Sequence, residues 1–309
     1  MKNIVMKHIF IVNPKAGKKN HLLEITEKLK EYDGKIDYEI YQTKCVRDGF
    51  EYTKTYLENH PDDYVRCYAC GGDGTLNEVC SGLVGYPNVE LACMAIGSGN
   101  DFVKNYGTVA DFQNLDALIN GKPQVVDIIK LEDEYCLNIC NFGFDAWVCE
   151  KMLNFKKLPL VSGPLAYDLG VLYCLLFKMK HYIKLEIDGE IVFDGKALLC
   201  AVSNGICYGG GYYCSPDAIL DDGLANICLV KKVSLFRAAG LIKVYKAGKH
   251  INNPELADII VYNQGKKITI SSDKPLCYSK DGETKTTLKL NLELLPKMVK
   301  FIVPEGLQK

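Results

Sequence analysis

Residues 71–78 read Gly71-Gly72-Asp73-Gly74-Thr75-Leu76-Asn77-Glu78 and join an apolar, strand-like run at 64–70 to a helical stretch ending near residue 83. Glycine lets the backbone turn sharply and approach a ligand with no Cβ in the way. A helix starting at such a turn offers unpaired N–H groups and the positive end of its dipole, a ready phosphate site. One surface dipole contact contributes only about 0.3–1 kcal/mol, so several donors must converge. Asp73 beside a phosphate is repulsive unless Mg2+ or ordered water lies between them, so its presence points to a metal–nucleotide. An ordinary glycine-rich turn does not explain the whole run with Asn77 and Glu78. No Gly-x-x-x-x-Gly-Lys-Ser/Thr is present, and the dinucleotide fingerprint needs Gly or Ala where Asn77 stands.

Two further loops carry compatible chemistry. Asn13-Pro14-Lys15-Ala16-Gly17-Lys18-Lys19 follows a short apolar strand at 8–12, with a glycine for close approach and lysines for charge. Gly97-Ser98-Gly99-Asn100-Asp101 follows another at 89–96. Either loop alone reads as a turn. Together with residues 71–78 they end three strands, and one nucleotide can touch all three.

The elements that position these loops alternate strand and helix. A helical stretch at 21–31 places Leu22, Ile25 and Leu29 on one face, and 38–42 reads as a strand. Residues 49–59 and 111–120 read as helices, the latter closed by Gly121. This order implies an α/β fold with a doubly wound parallel sheet, whose ligand crevice lies at the carboxyl ends of the strands. After Pro123 strands dominate, at 124–131, 135–141, 182–187, 191–193, 197–203, 259–262, 267–271, 275–279 and 286–292, with Asp188-Gly189 as a hairpin signal. Helical material intervenes at 145–180 and 235–247. The expected organisation is a nucleotide-binding domain at 1–125 and an antiparallel β-sandwich domain at 126–297. The strand-like stretch 298–303, within the tail 298–309, is open to rejoining the first domain.

Composition bounds the partners. The chain has 309 residues, 48% hydrophobic and 24% charged, with a formal net charge of −1. That excludes a mainly disordered chain and a global positive field for nucleic acid, and no aromatic–basic interleaving suggests one. Fourteen cysteines are scattered through apolar surroundings. Cys67-x-x-Cys70 lies on a strand, where residues three apart face opposite sides, and no second pair completes a zinc site. Reduced cysteines used as small core hydrophobes are the expectation. Met1-Lys2 opens no secretory signal, and the longest apolar run, Leu169 to Phe177, falls well short of the roughly 18 residues that suggest a membrane span. A cytoplasmic protein is expected.

The three loop motifs, in this order, resemble the diacylglycerol kinase catalytic-domain family, which includes bacterial soluble lipid kinases, sphingosine kinases and ceramide kinases. The resemblance continues through Asn141-Phe142-Gly143-Phe144-Asp145, Ser203-Asn204-Gly205 with Tyr208-Gly209-Gly210-Gly211, Ser215-Pro216-Asp217-Ala218 with Leu220-Asp221-Asp222-Gly223, and Asp281-Gly282-Glu283. It spans nearly the whole chain and implies an α/β nucleotide domain, a β-sandwich and an active site in the cleft between them. It also implies roles. ATP would contact Asn13, Pro14, Lys15, Ala16, Gly17, Thr43, Gly72, Asp73, Gly74, Thr75, Leu76, Asn77, Glu78 and Ser98. Asp73, Asp101 and Asp127 match a carboxylate network that holds the catalytic Mg2+ through water, Asp73 thereby sharing in catalysis. Asp281 matches the general base that accepts the lipid hydroxyl's proton, with Glu283 close by. Asp222, with the carbonyls of Ile219 and Leu224, matches a structural Mg2+ site. Lys104 departs from the pattern, since many members have Arg there and a fork of donors becomes a point charge.

The expectation is an ATP- and Mg2+-dependent lipid kinase acting on a hydroxyl, diacylglycerol giving phosphatidic acid. A base of ordinary carboxylate pKa, about 3.9, suffices because the alcohol loses its proton late. NAD kinase shares a related fold and the Gly-Gly-Asp-Gly-Thr motif, but is disfavoured by Gly-Ser-Gly-Asn-Asp-Phe and Asp-Gly-Glu. A catalytically silent nucleotide- or lipid-binding regulator is disfavoured by retention of Asp73, Asp101, Asp127 and Asp281. Asp281-Gly282 alone is a hairpin turn signal. Lys151, Lys156, Lys157, Lys178, Lys180 and Lys184 flank apolar stretches that include Leu158-Pro159-Leu160-Val161, either a solvated basic face or a surface for transient, peripheral contact with anionic lipid. The resemblance also implies a homodimer.

Overall fold

Two units make up the computed structural model, one drawn from the residues up to Ile128 and from Pro296 onward, the other Ile129–Leu295. The structure describes residues 6–17, 21–159, 161 and 163–307; Met1, Lys2, Lys18, Lys19 and Leu160, named above, lie outside them.

The first unit alternates strand and helix: β1 (Lys7–Val12), α1 (His21–Leu29), β2 (Asp37–Gln42), α2 (Asp48–Asn59), β3 (Val65–Gly71), α3 (Asp73–Leu83), β4 (Val89–Ala95) and α4 (Leu115–Ile119), leading into β5 (Lys122–Leu131). Its sheet runs β4-β3-β1-β2, all parallel. Every residue of β3 is buried, as a central strand covered on both faces requires. Register sets the site: Val12 lies opposite Cys70, and Gly71 opposite Ala95. The loops after β1, β3 and β4 therefore leave one edge together. Across β3 and β4, Arg66 Nε donates to Glu90 Oε2 at 2.7 Å, both side chains buried. The same guanidinium donates to Leu118 and Ile119 O at 3.1 and 2.7 Å, adding a side-chain partner to carbonyls at the end of α4. The helix expected at 111–120 is shorter: a 3-10 turn spans Asp111–Gln113, and Asn114 caps α4 by accepting from Ala117 N at 3.2 Å.

The second unit holds β6 (Glu134–Cys136), β7 (Ile139–Gly143), α5 (Phe144–Phe155), α6 (Gly163–Phe177), β8 (His181–Ile187), β9 (Glu190–Ser203), β10 (Ala225–Lys231), α7 (Leu235–Lys246), β11 (Ile260–Gly265), β12 (Lys267–Lys280) and most of β13 (Glu283–Val303). Pairing is antiparallel, in the order β11-β10-β9-β7-β12-β13, with β8 on β9 and β12. Alternation divides the core. Cys200, Val202, Ile227 and Leu229 pack into an all-strand cluster. Leu199, Ala201, Cys228 and Val230 face α5, α6 and α7 through Phe144, Val148, Cys174 and Leu241.

Several expected strands merge. β9, β12 and β13 are each continuous where the sequence suggests breaks, whereas 135–141 divides into β6 and β7. β10 adds a strand beyond those expected. All fourteen cysteines are free thiols, twelve of them buried. Among the described residues no helix is long and apolar enough to cross a membrane.

Candidate active site

In the first unit, three loops meet backbone to backbone. Ile96 N and Gly97 N both donate to Gly71 O at 3.1 Å. A Cβ on Gly97 would lie 2.3 Å from Gly72 Cα, so any side chain there would force the loops apart. Gly17, at φ +72°, also runs close to Ile96 O, which a Cβ there would approach to 2.7 Å. Asn13 ties the β1 loop to α3: its Nδ2 donates to Thr75 Oγ1 at 3.1 Å, and its Oδ1 accepts from Lys15 N at 3.0 Å. Gly72 is the N-cap of α3 and supplies no side-chain cap, so the amides of the first turn point at whatever fills the concavity. Pro14, Lys15, Gly17, Gly74 and Ser98 are exposed around it, with Ala16 half-buried.

Other expected contacts act differently. Leu76 and Asn77 are buried. Thr43 continues β2, its N–H donating to Val12 O at 2.9 Å. Glu78 accepts from Arg47 N at 2.8 Å and Gly49 N at 3.2 Å, so its carboxylate holds the loop between β2 and α2.

Asp73 and Asp101 come together. Asp73 Oδ1 accepts from Asp101 N at 2.7 Å and Phe102 N at 3.3 Å. Burial, then the charge of Asp101, pushes the Asp73 carboxyl above its ordinary pKa, while the amides pull it down. Lys104 Nζ lies 2.6 Å from Asp101 Oδ1. Asp127 is fully buried and accepts from Lys297 N at 2.7 Å, where Lys297 adopts a left-handed φ of 56°. Among the described residues no three His, Cys, Asp or Glu side chains form a direct metal cluster. Two crowded carboxylates of hard oxygen nonetheless suit a divalent cation held through water.

In the second unit, Asp281 and Gly282 form the two-residue turn joining β12 to β13, with φ of 43° and 95° and Lys280 paired to Glu283. That is the turn the dipeptide signals. The Asp281 carboxylate folds onto the link between β6 and β7. Oδ2 accepts from Leu137 N at 3.1 Å, Asn138 N at 3.5 Å and the Cys136 thiol at 3.3 Å; Oδ1 accepts from Ile139 N at 3.1 Å. A cradle of donors suits a carboxylate acceptor. Lys280 Nζ lies 3.2 Å from Glu134 and 3.7 Å from Glu283, which is 41% exposed and so accessible beside the turn. The cradle has no signature in the sequence, because its donors are mostly main-chain groups far from Asp281 along the chain.

Two other motif residues are placed. Asp145 accepts from the Tyr208 hydroxyl, and burial pushes its carboxyl up to about 6. Asp222 is exposed and turns Oδ1 onto Leu224 N at 2.9 Å; Ile219 is exposed nearby in the same loop. One carboxylate with carbonyls would leave most of a Mg2+ shell to water.

Comparison with known proteins matches the chain to a family. Residues 7–131 match the diacylglycerol kinase catalytic domain, and residues 138–303 match the YegS C-terminal NAD kinase beta sandwich-like domain. A diacylglycerol kinase of Staphylococcus aureus (strain MRSA252) is 31% identical over 303 residues, covering 96% of this chain and 92% of the relative. One from Staphylococcus carnosus is 28% identical over 96% of this chain and 95% of its own. A Bacillus anthracis chain solved as a candidate diacylglycerol kinase shares the fold at TM-score 0.77, with 24% identity over 99% of both chains. An NAD kinase from Archaeoglobus fulgidus, solved with ATP, aligns at TM-score 0.50 and 15% identity over 97% of this chain and 95% of that one. The chain belongs to the diacylglycerol kinase family of lipid kinases, phosphotransferases whose acceptor is an alcohol.

Proposed function

We propose that this lipid kinase takes diacylglycerol as its acceptor and Mg-ATP as its donor, giving phosphatidic acid and ADP. The observation that carries the reading is the Asp281 carboxyl group, fastened by the amides of residues 137–139 at the tip of the β12–β13 turn. In the reaction, the lipid hydroxyl oxygen bonds to the γ-phosphorus, the bond from that phosphorus to the ADP oxygen breaks, and the hydroxyl proton passes to Asp281. The transition state is loose, so orientation matters more than basicity. The loops after β1, β3 and β4 would bind the phosphates, with the first-turn amides of α3 as donors. Asp73 and Asp101 would hold Mg2+ through water; when bound, the ion neutralises charge on the transferring phosphoryl group. Asp127, Lys297 and Glu78 would shape the site through main-chain contacts. Asp222 with the Ile219 and Leu224 carbonyls would hold a second, structural Mg2+.

The lipid has to be met at a bilayer, and α6 supports such a contact. Its Leu165, Leu172, Leu176 and Phe177 are exposed, Phe177 at 68%. Exposed Leu153, Leu158, Lys156, Lys157 and Lys180 flank it. Apolar side chains that enter the headgroup layer, ringed by lysines, suit anionic lipid. Lys178 and Lys151 instead lie over the Trp147 ring, at 3.8 and 5.4 Å, and Lys184 pairs with Glu186 at 2.8 Å.

ADP release from Mg-ATP with diacylglycerol mixed micelles, beside NAD and no-lipid controls, tests the reading. Lipid-dependent release supports it; release driven by NAD moves the assignment to the related NAD kinase chemistry.

A further inference from the structure

The cradle around Asp281 contains one donor of a different kind. Three of its hydrogen bonds come from the main-chain amides of Leu137, Asn138 and Ile139, which no substitution short of proline removes. Another comes from the thiol of Cys136, a fully buried side chain at the end of β6, 3.3 Å from Oδ2. Burial, with the Asp281 charge beside it, pushes this thiol well above its ordinary pKa. It therefore keeps its proton and can donate. A hydrogen bond to an ionised acceptor is among the stronger ones available to a weak donor.

The segment carrying these donors is pinned at its other end. Glu134, at the start of β6, meets Lys280 at 3.2 Å and Lys285 at 2.6 Å, both on the hairpin that carries Asp281. Lys280 also meets Glu283 at 3.7 Å, so the charges flanking the turn are paired among themselves. Two further thiols lie by the turn, and Tyr278 of β12 packs near Cys140 and Glu134. Cys140 of β7 and Cys149 of α5 are both pushed up by burial and carry no charge, and Cys149 donates to Gly282 O at 3.4 Å.

We propose that Cys136 is a positioning residue for phosphoryl transfer: its thiol fixes the Asp281 carboxylate against β6 and sets the pH at which that carboxylate is ready to take a proton. The inference rests on the reading of Asp281 as the base. Removing a donor to the charged form makes the carboxylate easier to protonate, so the acid limb of the rate profile must move to higher pH.

The test compares the pH dependence of kcat for the full chain, Cys136→Ala, Cys136→Ser and Cys200→Ala, with diacylglycerol micelles and Mg-ATP. Cys200 is a fully buried thiol of the same strand core and serves as the cavity control. Cys136→Ala is expected to lose about tenfold in kcat, with KM for ATP unchanged and the acid limb moved up. Cys136→Ser, which keeps a donor, restores the limb; Cys200→Ala leaves it in place. An unmoved limb in Cys136→Ala, or an equal movement in Cys200→Ala, overturns the proposal. Should Cys136→Ala not fold by circular dichroism, Cys136→Val, which fills the space but has no donor, takes its place: an upward shift of the limb supports the proposal and an unmoved limb overturns it. Asp281→Asn separates the two failures: an active Asn variant removes the base reading itself, whereas an inactive one beside a normal Cys136→Ala removes only this inference.

Discussion

Glu78 Oε1 accepts a 2.8 Å hydrogen bond from Arg47 N, which adopts a left-handed φ of 69° at the entrance to α2. Its second oxygen takes Gly49 N at 3.2 Å. The carboxylate thus fixes the loop following Thr43, at one flank of the nucleotide loops. Glu78→Ala is expected to raise KM for ATP by about tenfold, the worth of lost charge-assisted bonds, with kcat little changed. Steady-state kinetics check it; an unchanged KM means the loop holds its shape unaided.

The contact between Gly97 and Gly72 leaves no room for a methyl group. With a Cβ 2.3 Å from the Gly72 Cα, Gly97→Ala must move main chain rather than a flexible side chain. The variant is expected to lose about 1–3 kcal/mol of stability and most of its ATP affinity. Urea unfolding and calorimetric titration measure both; a variant that binds ATP normally contradicts the backbone-to-backbone account.

His8 supplies a pH dependence of stability. Its ring is buried against Tyr68, with Nδ1 2.8 Å from the hydroxyl, and burial, then the Arg66 charge, lowers its pKa from 6.5 to about 4. The folded form resists the proton that the unfolded form accepts below 6.5. Stability from this group is therefore complete above pH 6.5 and falls as pH drops toward 4, by at most about 3 kcal/mol before solvent screening. Between pH 7 and 4.5, wild type is expected to lose more stability in urea than His8→Phe. Parallel losses would show that His8 titrates freely.

Membrane contact through α6 predicts a split between two assays. Leu176→Glu with Phe177→Glu is expected to abolish flotation on anionic vesicles while leaving turnover on detergent-dispersed diacylglycerol within about twofold. Equal flotation of both proteins places the contact elsewhere.

The nucleotide half was legible because its signals are local. A glycine run between strand and helix is read from a few adjacent residues, and 8–12, 64–70 and 89–96 stand out as apolar runs. The second unit was less so. β9 passes straight through Gly195, which reads as a break but sits against the Phe193 ring. The expected domain boundary at 125/126 lies inside β5, a continuous strand that also carries the division between Ile128 and Ile129. Asn114 reads as helix interior, yet caps α4. The Asp281 cradle could not be read at all, since main-chain amides carry no residue identity and the pairing of Asp281 with 136–139 is set by the sheet.

Turnover by Asp281→Asn tests the central claim most directly. Asparagine keeps the size of the side chain but removes the charge that the amides hold and the capacity to accept a proton. Lipid-dependent ADP release should fall by about 10²–10⁴-fold while ATP binding, measured by calorimetry, stays near wild type. Near-normal turnover in Asp281→Asn would contradict the account and leave the carboxylate as a fastening for the turn.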